Sequence, residues 1–137
     1  MRVLFVAGFG PIVTDVAAAR AFYVDALGLS LQADGDYLHT GGLAGVKHFA
    51  LWPLAQAAES CFGTEVWPAG LPVPQAWLEF DVDDVAAASA ELQGRGYRLL
   101  VADRLEPWGQ TVTRLLGPEG LLVGITLSPL LREGGRG

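Results

Sequence analysis

Asp15-Val-Ala-Ala-Ala-Arg-Ala21 recurs 69 residues later as Asp84-Val-Ala-Ala-Ala-Ser-Ala90, half a chain away in a sequence of 137 residues. Alanine-rich strings coincide easily, so the repeat must be judged by its surroundings. Both copies follow an apolar run, Val3 to Val13 in the first and Ala76 to Val82 in the second. Both pass a glycine, Gly28 or Gly96, into a short segment, Leu29 to Gln32 or Tyr97 to Val101. Both then enter a glycine-turned hairpin. The first joins Tyr37 to Thr40 with Val46 to Trp52, and the second joins Thr111 to Leu116 with Leu121 to Leu127.

The repeated stretch itself reads as a helix. Thr14 or Asp15 caps the first copy, and Val16, Ala19, Phe22, Tyr23 and Leu27 follow at helical spacing. Asp83 or Asp84 caps the second, with Val85, Ala88 and Leu92 in step and Gly94 or Gly96 as the stop. Strand, helix and three strands, twice over, predict an α+β domain of two tandem βαβββ modules. The repeats span about 1–53 and 76–131 of a single domain, 1–131. Leu54 to Gln75, with Pro68, Pro72 and Pro74, reads as a long covering loop, and 132–137 as a flexible tail.

Composition narrows the function. Apolar residues make up 51% and charged residues 18%, which excludes disorder. Mean hydropathy is +0.35, yet charge-free runs such as Val3–Thr14 and Gly120–Leu131 are broken by Gly or Pro. They fall short of the roughly 18 apolar residues of a spanning helix, so no membrane partner is expected. The opening Met-Arg-Val-Leu-Phe-Val-Ala has the outline of a signal peptide, but Gly8, Gly10 and Pro11 interrupt it and the repeat assigns it to the fold. A net charge of −6 gives no electrostatic support for nucleic acid. A single cysteine, Cys61, forbids an internal disulfide, so a cytoplasmic location is expected. Nothing adjacent in sequence activates Cys61 as a nucleophile. Gly8-Phe-Gly10 opens like a dinucleotide loop, but Val13 stands where its third glycine belongs.

Three signatures lie in order inside the repeat: Thr14-Asp15 through Phe22-Tyr23-Val-Asp-Ala-Leu-Gly28-Leu29, then Phe80-Asp81-Val82-Asp83-Asp84-Val85, then Gly117-Pro118-Glu119-Gly120. Together they resemble the vicinal oxygen chelate proteins, a superfamily of glyoxalases, bleomycin-resistance proteins and extradiol dioxygenases, over nearly the whole chain to about Pro129. The resemblance implies sheets that curve around a central cleft. In catalytic members four side chains, chiefly His and Glu, hold a divalent metal there. By spacing, those positions fall here on Gly8, near Ala50, on Trp77 and on Gly124. None of these ligates through its side chain. The resemblance therefore points to the metal-free, bleomycin-resistance-like branch, with no metal and no other cofactor.

Strand alternation then assigns faces. Residues in step with the family's ligand positions are expected in the cleft: Val6 and Gly8, His48, Ala50 and Trp52, Trp77, Glu79 and Asp81, Leu122, Gly124 and Thr126. The alternate residues, among them Phe5, Phe9, Phe49, Leu51, Phe80, Val123 and Ile125, are expected beneath the helices. The ligand-binding set is read as Gly8, His48, Trp52, Trp67, Trp77, Glu79, Trp108 and Gly124. In this reading Gly8 and Gly124 admit a ring close to the sheet, Glu79 or a Trp face meets a cation, and Trp67 and Trp108 close over the cleft. Weighed as a pair facing each other across the hairpin, where they could bind adventitious metal, His39 and His48 read instead as two surface histidines. The function expected is sequestration of a bulky aromatic or cationic, antibiotic-like ligand. The alternatives are an enzyme of the same fold (lyase, isomerase or dioxygenase) acting on a small metabolite, with Glu79 or Asp81 as acid or base, and a subunit with a vestigial cleft. The family habit of pairing cups across a twofold axis implies a homodimer.

Overall fold

The apolar run at the start forms one long strand, β1 (Val3–Val13), and the matching run forms β5 (Ala76–Val82). A computed structural model gives the fold of residues 1–132. The two strands lie antiparallel at the centre of an eight-stranded sheet ordered β2-β3-β4-β1-β5-β8-β7-β6. On one side of the centre β4 (Phe49–Pro53) runs parallel to β1, and on the other β8 (Leu122–Leu127) runs parallel to β5. Each half is completed by a hairpin, β2 (Gln32–Asp34) with β3 (Tyr37–Thr40), and β6 (Val101–Leu105) with β7 (Thr111–Leu116). The two βαβββ modules are thus laid side by side in a mixed α+β sheet. No helix among the described residues is long and apolar enough to cross a membrane.

Asp15 caps α1 (Val16–Arg20), its carboxylate accepting the Ala18 N–H at 3.0 Å, and Asp84 caps α3 (Val85–Gly94) through the Ala87 N–H at 3.0 Å. Beyond Arg20, α1 widens into a π-helical turn over Ala21–Ala26. The extra residue moves the helix out of phase. Phe22, in step with the apolar stripe of an ordinary helix, is left exposed, while Tyr23 and Val24 pack against Val13, Leu38 and Leu51. Helix α3 covers the matching cluster of Val82, Leu115 and Ile125.

The structure moves several expected boundaries, and the strand read from Val46 begins at Phe49. The second strand of each module begins later than read, at Gln32 rather than Leu29 and at Val101 rather than Tyr97. Residues after each helix stop are taken up in closing it: Leu29 donates to the Tyr23 carbonyl and Tyr97 to that of Leu92, each at 3.1 Å. Gly35, at φ +60°, then fixes the pairing of Asp34 with Tyr37. The covering loop is half helix, α2 (Leu54–Phe62), because Ala57, Ala58 and Cys61 bury one face and Gly63 closes the end at φ +74°. The prolines confine the irregular part to 63–75. Arg132, placed in the tail by the sequence, ends a short helix, α4 (Pro129–Arg132), because it is ion-paired to Asp81 at 2.9 Å. The rest of that expected tail, 133–137, lies outside the described residues.

A bulge alters one face. The register between β1 and β5 shifts between Val6 and Gly8, so Val6 pairs with Phe80 and Gly8 with Glu79. The alternation that put Val6 in the cleft stops at this point, and Ala7 lines the cleft instead.

Candidate functional site

Trp77 begins the site. Its indole is almost wholly buried, and its Nε1–H donates to the Ala50 carbonyl at 3.1 Å. A Cβ built on Gly8 would stand 2.5 Å from Cζ3 of that ring. The ring therefore fills the space in front of Gly8, and its N–H is spent on the backbone at position 50. A Cβ on Gly124 would stand 2.8 Å from Cγ of Glu79 and 3.4 Å from Nη1 of Arg114. So the two glycines do admit close approach, but of the protein's own side chains; neither lines the cleft. The residues at the four inherited positions do not fit a divalent metal. Among the described residues no three His, Cys, Asp or Glu side chains converge on a point where an ion could be held.

Beyond Trp77 the cleft opens to about 610 Å³, within the range of small-molecule sites. One wall is aromatic. Tyr37 and His39 stand on the same side of β3, two residues apart, with ring centroids 5.1 Å from each other. His48 lies 6.1 Å from Tyr37 and 6.2 Å from Trp77, and Trp52 meets Trp77 edge to face at 6.2 Å. Tyr37 Oη lies 2.6 Å from Nε2 of His48. Burial lowers the His48 pKa below its usual 6.5, with nearby Glu79 opposing and His39 assisting. Burial, reinforced by Glu79, raises that of Tyr37 well above 10. Both groups are therefore neutral near pH 7. His39 and His48 both line the cleft and are not a surface pair.

The facing wall is polar. Arg114 on β7 is only 2% exposed, and its guanidinium lies over the Trp52 ring at 4.9 Å. Its Nη1 donates to Glu79 Oε2 at 3.0 Å, while Gln110 Nε2 donates to Glu79 Oε1 at 2.9 Å. Gln110 is itself fixed, donating also to Ser128 Oγ at 3.2 Å and accepting from Trp108 Nε1 at 3.0 Å. Trp108 and Leu130 line the mouth while 63% and 75% exposed, so this rim is apolar and open to solvent.

Of the expected ligand residues, His48, Trp52, Trp77, Glu79 and Trp108 converge on this cleft. Trp67 does not. It is buried behind α2, edge to face with Phe62 at 5.0 Å, with its N–H given to the Pro72 carbonyl. Asp81 does not either. It is fully buried below the strand end, where Thr126, the Ser128 N–H and Arg132 consume its oxygens. That leaves Asp81 no part as an acid or base in the cleft. Ala50, Leu122 and Thr126 are also sealed in the interior. Glu79 reaches the cleft, but already paired, so it offers no free charge to a cation. Cys61 is buried against Trp67 and Ala58, and burial pushes its thiol up.

The profile of the Glyoxalase/Bleomycin resistance protein/Dioxygenase superfamily matches residues 9–125. The chain belongs to this superfamily. No curated protein matches it. Among solved structures, a superfamily member from Vibrio splendidus 12B01 is 17% identical, covering 91% of this chain and 99% of that one, with a TM-score of 0.58. A Streptomyces coelicolor methylmalonyl-CoA epimerase bound to 2-nitronate-propionyl-CoA is 19% identical over 93% of this chain and 96% of its own, at 0.51. A structure described as an NAD-dependent benzaldehyde dehydrogenase from Legionella pneumophila is 12% identical over 87% and 96%, at 0.57. At these identities the likeness shows the fold. Within it, the Trp77 indole fills the space before Gly8, and Glu79 and Arg114 fill that before Gly124.

Proposed function

We propose that the protein binds a planar aromatic small molecule in this cleft and holds it without chemical change. The reading rests on one observation above all: Trp77 and the Glu79–Arg114 pair fill the inherited metal positions, leaving an aromatic-walled space of about 610 Å³ beyond them. Rings on Tyr37, His48, Trp52 and Trp108 supply stacking surfaces, each worth about 0.5–1.5 kcal/mol beyond area burial. Sequestration of a toxic or antibiotic-like compound is the use that suits such a site.

The test is titration of tryptophan fluorescence with flat two- and three-ring compounds, followed by recovery of the compound for mass spectrometry. Saturable quenching with the compound returned intact is expected. Replacing Trp108 by Ala should weaken binding by roughly threefold to tenfold, the loss of one aromatic contact. Failure of every compound in a broad panel to quench would sink the proposal.

A second reading has its own observation. Tyr37 and His48, hydrogen-bonded at 2.6 Å inside the cleft and both neutral, form an acid–base pair of the kind an isomerase or lyase uses. A product in the recovered sample, absent with His48→Gln, would favour this enzyme reading.

A further inference from the structure

We infer that the polar wall selects a ligand carrying a neutral edge with a hydrogen-bond acceptor beside a donor, as in an aromatic amide or a fused lactam, over a ligand carrying a full charge. The inference rests on the aromatic reading above and names the chemistry of the ligand's polar end.

Arg114 has five N–H donors, yet among the described residues its guanidinium makes one hydrogen bond, to Glu79. Its Nε is buried with no partner among the described residues. The group is held in place by the Trp52 ring beneath it and by the pair with Glu79, so it has donor capacity to spare and little freedom to seek an acceptor elsewhere. Glu79 has the opposite surplus. Each of its oxygens accepts one hydrogen bond, from Arg114 or from Gln110, and each keeps a lone pair. Donor and acceptor capacity thus lie side by side on one wall, at two atoms 3.0 Å apart. Gln110 locks the arrangement, because both ends of its amide are engaged by Glu79, Ser128 and Trp108.

Charge decides which ligand edge suits that wall. Arg114 and Glu79 offset each other, so a cation drawn to Glu79 meets the guanidinium, and an anion drawn to Arg114 meets the carboxylate. Either ion gives up its hydration for little net attraction. The other acid on the cleft, Asp34, sits at the rim with its side chain 85% exposed, where water screens it. An amide gives up less hydration and satisfies both surpluses, its carbonyl accepting from Arg114 and its N–H donating to Glu79.

The experiment uses four probes of one shape, titrated by calorimetry: naphthalene-2-carboxamide, 2-naphthoate, 2-naphthylmethylammonium and 2-isopropylnaphthalene. The carboxamide should bind at least roughly tenfold tighter than each of the other three, the scale of one or two well-made hydrogen bonds. Glu79→Gln, which keeps the shape and leaves Arg114 uncompensated, should move the preference to 2-naphthoate. The wild-type ranking stands without that variant should it fold poorly. All four probes binding within about threefold, or a charged probe binding tightest to the wild type, would overturn the inference while leaving the aromatic site intact. Binding by none of them at millimolar concentration would overturn the aromatic reading, and this inference with it.

Discussion

A methyl group on residue 8 would collide with Trp77, since its carbon would lie 2.5 Å from Cζ3 of the ring. Gly8→Ala should therefore cost about 1–3 kcal/mol in urea unfolding, the usual effect of overpacking. The cost should fall in a Trp77→Ala background but not vanish, because the His48 carbonyl oxygen would still stand 3.2 Å from the new carbon. Gly10 provides the contrast. Its Cβ would stand 1.9 Å from the Ala50 carbonyl oxygen, which is backbone, so Gly10→Ala should be as harmful with Trp77 as without it. At this scale much of the cleft was legible: alternation from Trp77 led directly to Glu79, and from His48 to Trp52. It misled at Val6, where a one-residue bulge invisible in the sequence reversed the faces. It also missed Tyr37, His39 and Arg114, although signals existed. Tyr37 and His39 flank Leu38 on a four-residue strand, and Arg114 is the lone charge in an otherwise uncharged β7. What no spacing reveals is that Arg114 and Glu79, 35 residues apart, share a wall through β8 between them.

The hairpin of β3 and β4 joins two groups that resist ionisation in opposite directions. His48 stays neutral below its ordinary pKa of 6.5, so the unfolded chain binds the proton first as pH falls. Stability from this group is complete above pH 6.5 and declines as the pH drops below it. Tyr37 stays protonated above its ordinary 10, so the unfolded chain loses the proton first as pH rises, and stability declines above pH 10. Urea midpoints measured across pH should fall on both sides. Tyr37→Phe should flatten the alkaline side relative to wild type, and His48→Gln the acid side. An alkaline slope unchanged in Tyr37→Phe would show that the phenol is not held as described. Elements with strong periodicity were the easiest to read, which is why β1, β3, β5 and β7 fall where expected. Helix α2 was obscured because its stabilising face, Ala57, Ala58 and Cys61, consists of small residues that give little contrast with a loop, and the prolines at 68, 72 and 74 coloured the reading of the whole segment. The late starts of β2 and β6 follow from tertiary closure of the preceding helices, which no local propensity encodes.

Across the whole molecule, the C-terminal helix is tied to the central strand. Arg132 donates to Asp81 at 2.9 Å and to the Val82 carbonyl, and Asp81 is sealed from solvent. Arg132→Ala should destabilise the protein by about 1.5–3 kcal/mol, the value of a hydrogen bond to a buried charge, with Arg132→Lys recovering only part. Asp81→Asn combined with Arg132→Ala should be milder than Arg132→Ala alone, because no unpaired charge is then buried. Urea unfolding of the three variants checks the order. Since Pro129, Leu130 and Leu131 line the cleft, loosening this tie should also weaken aromatic probes. The sheet order carries a further consequence for how the protein is made. Residues 1–53 contain everything needed for the half-sheet β2-β3-β4-β1, yet the outer edge of β1 finds its partner only when β5 arrives at Ala76–Val82. On the ribosome, at about 5–20 residues per second, the longest strand of the nascent chain spends seconds with an open edge before its seam closes.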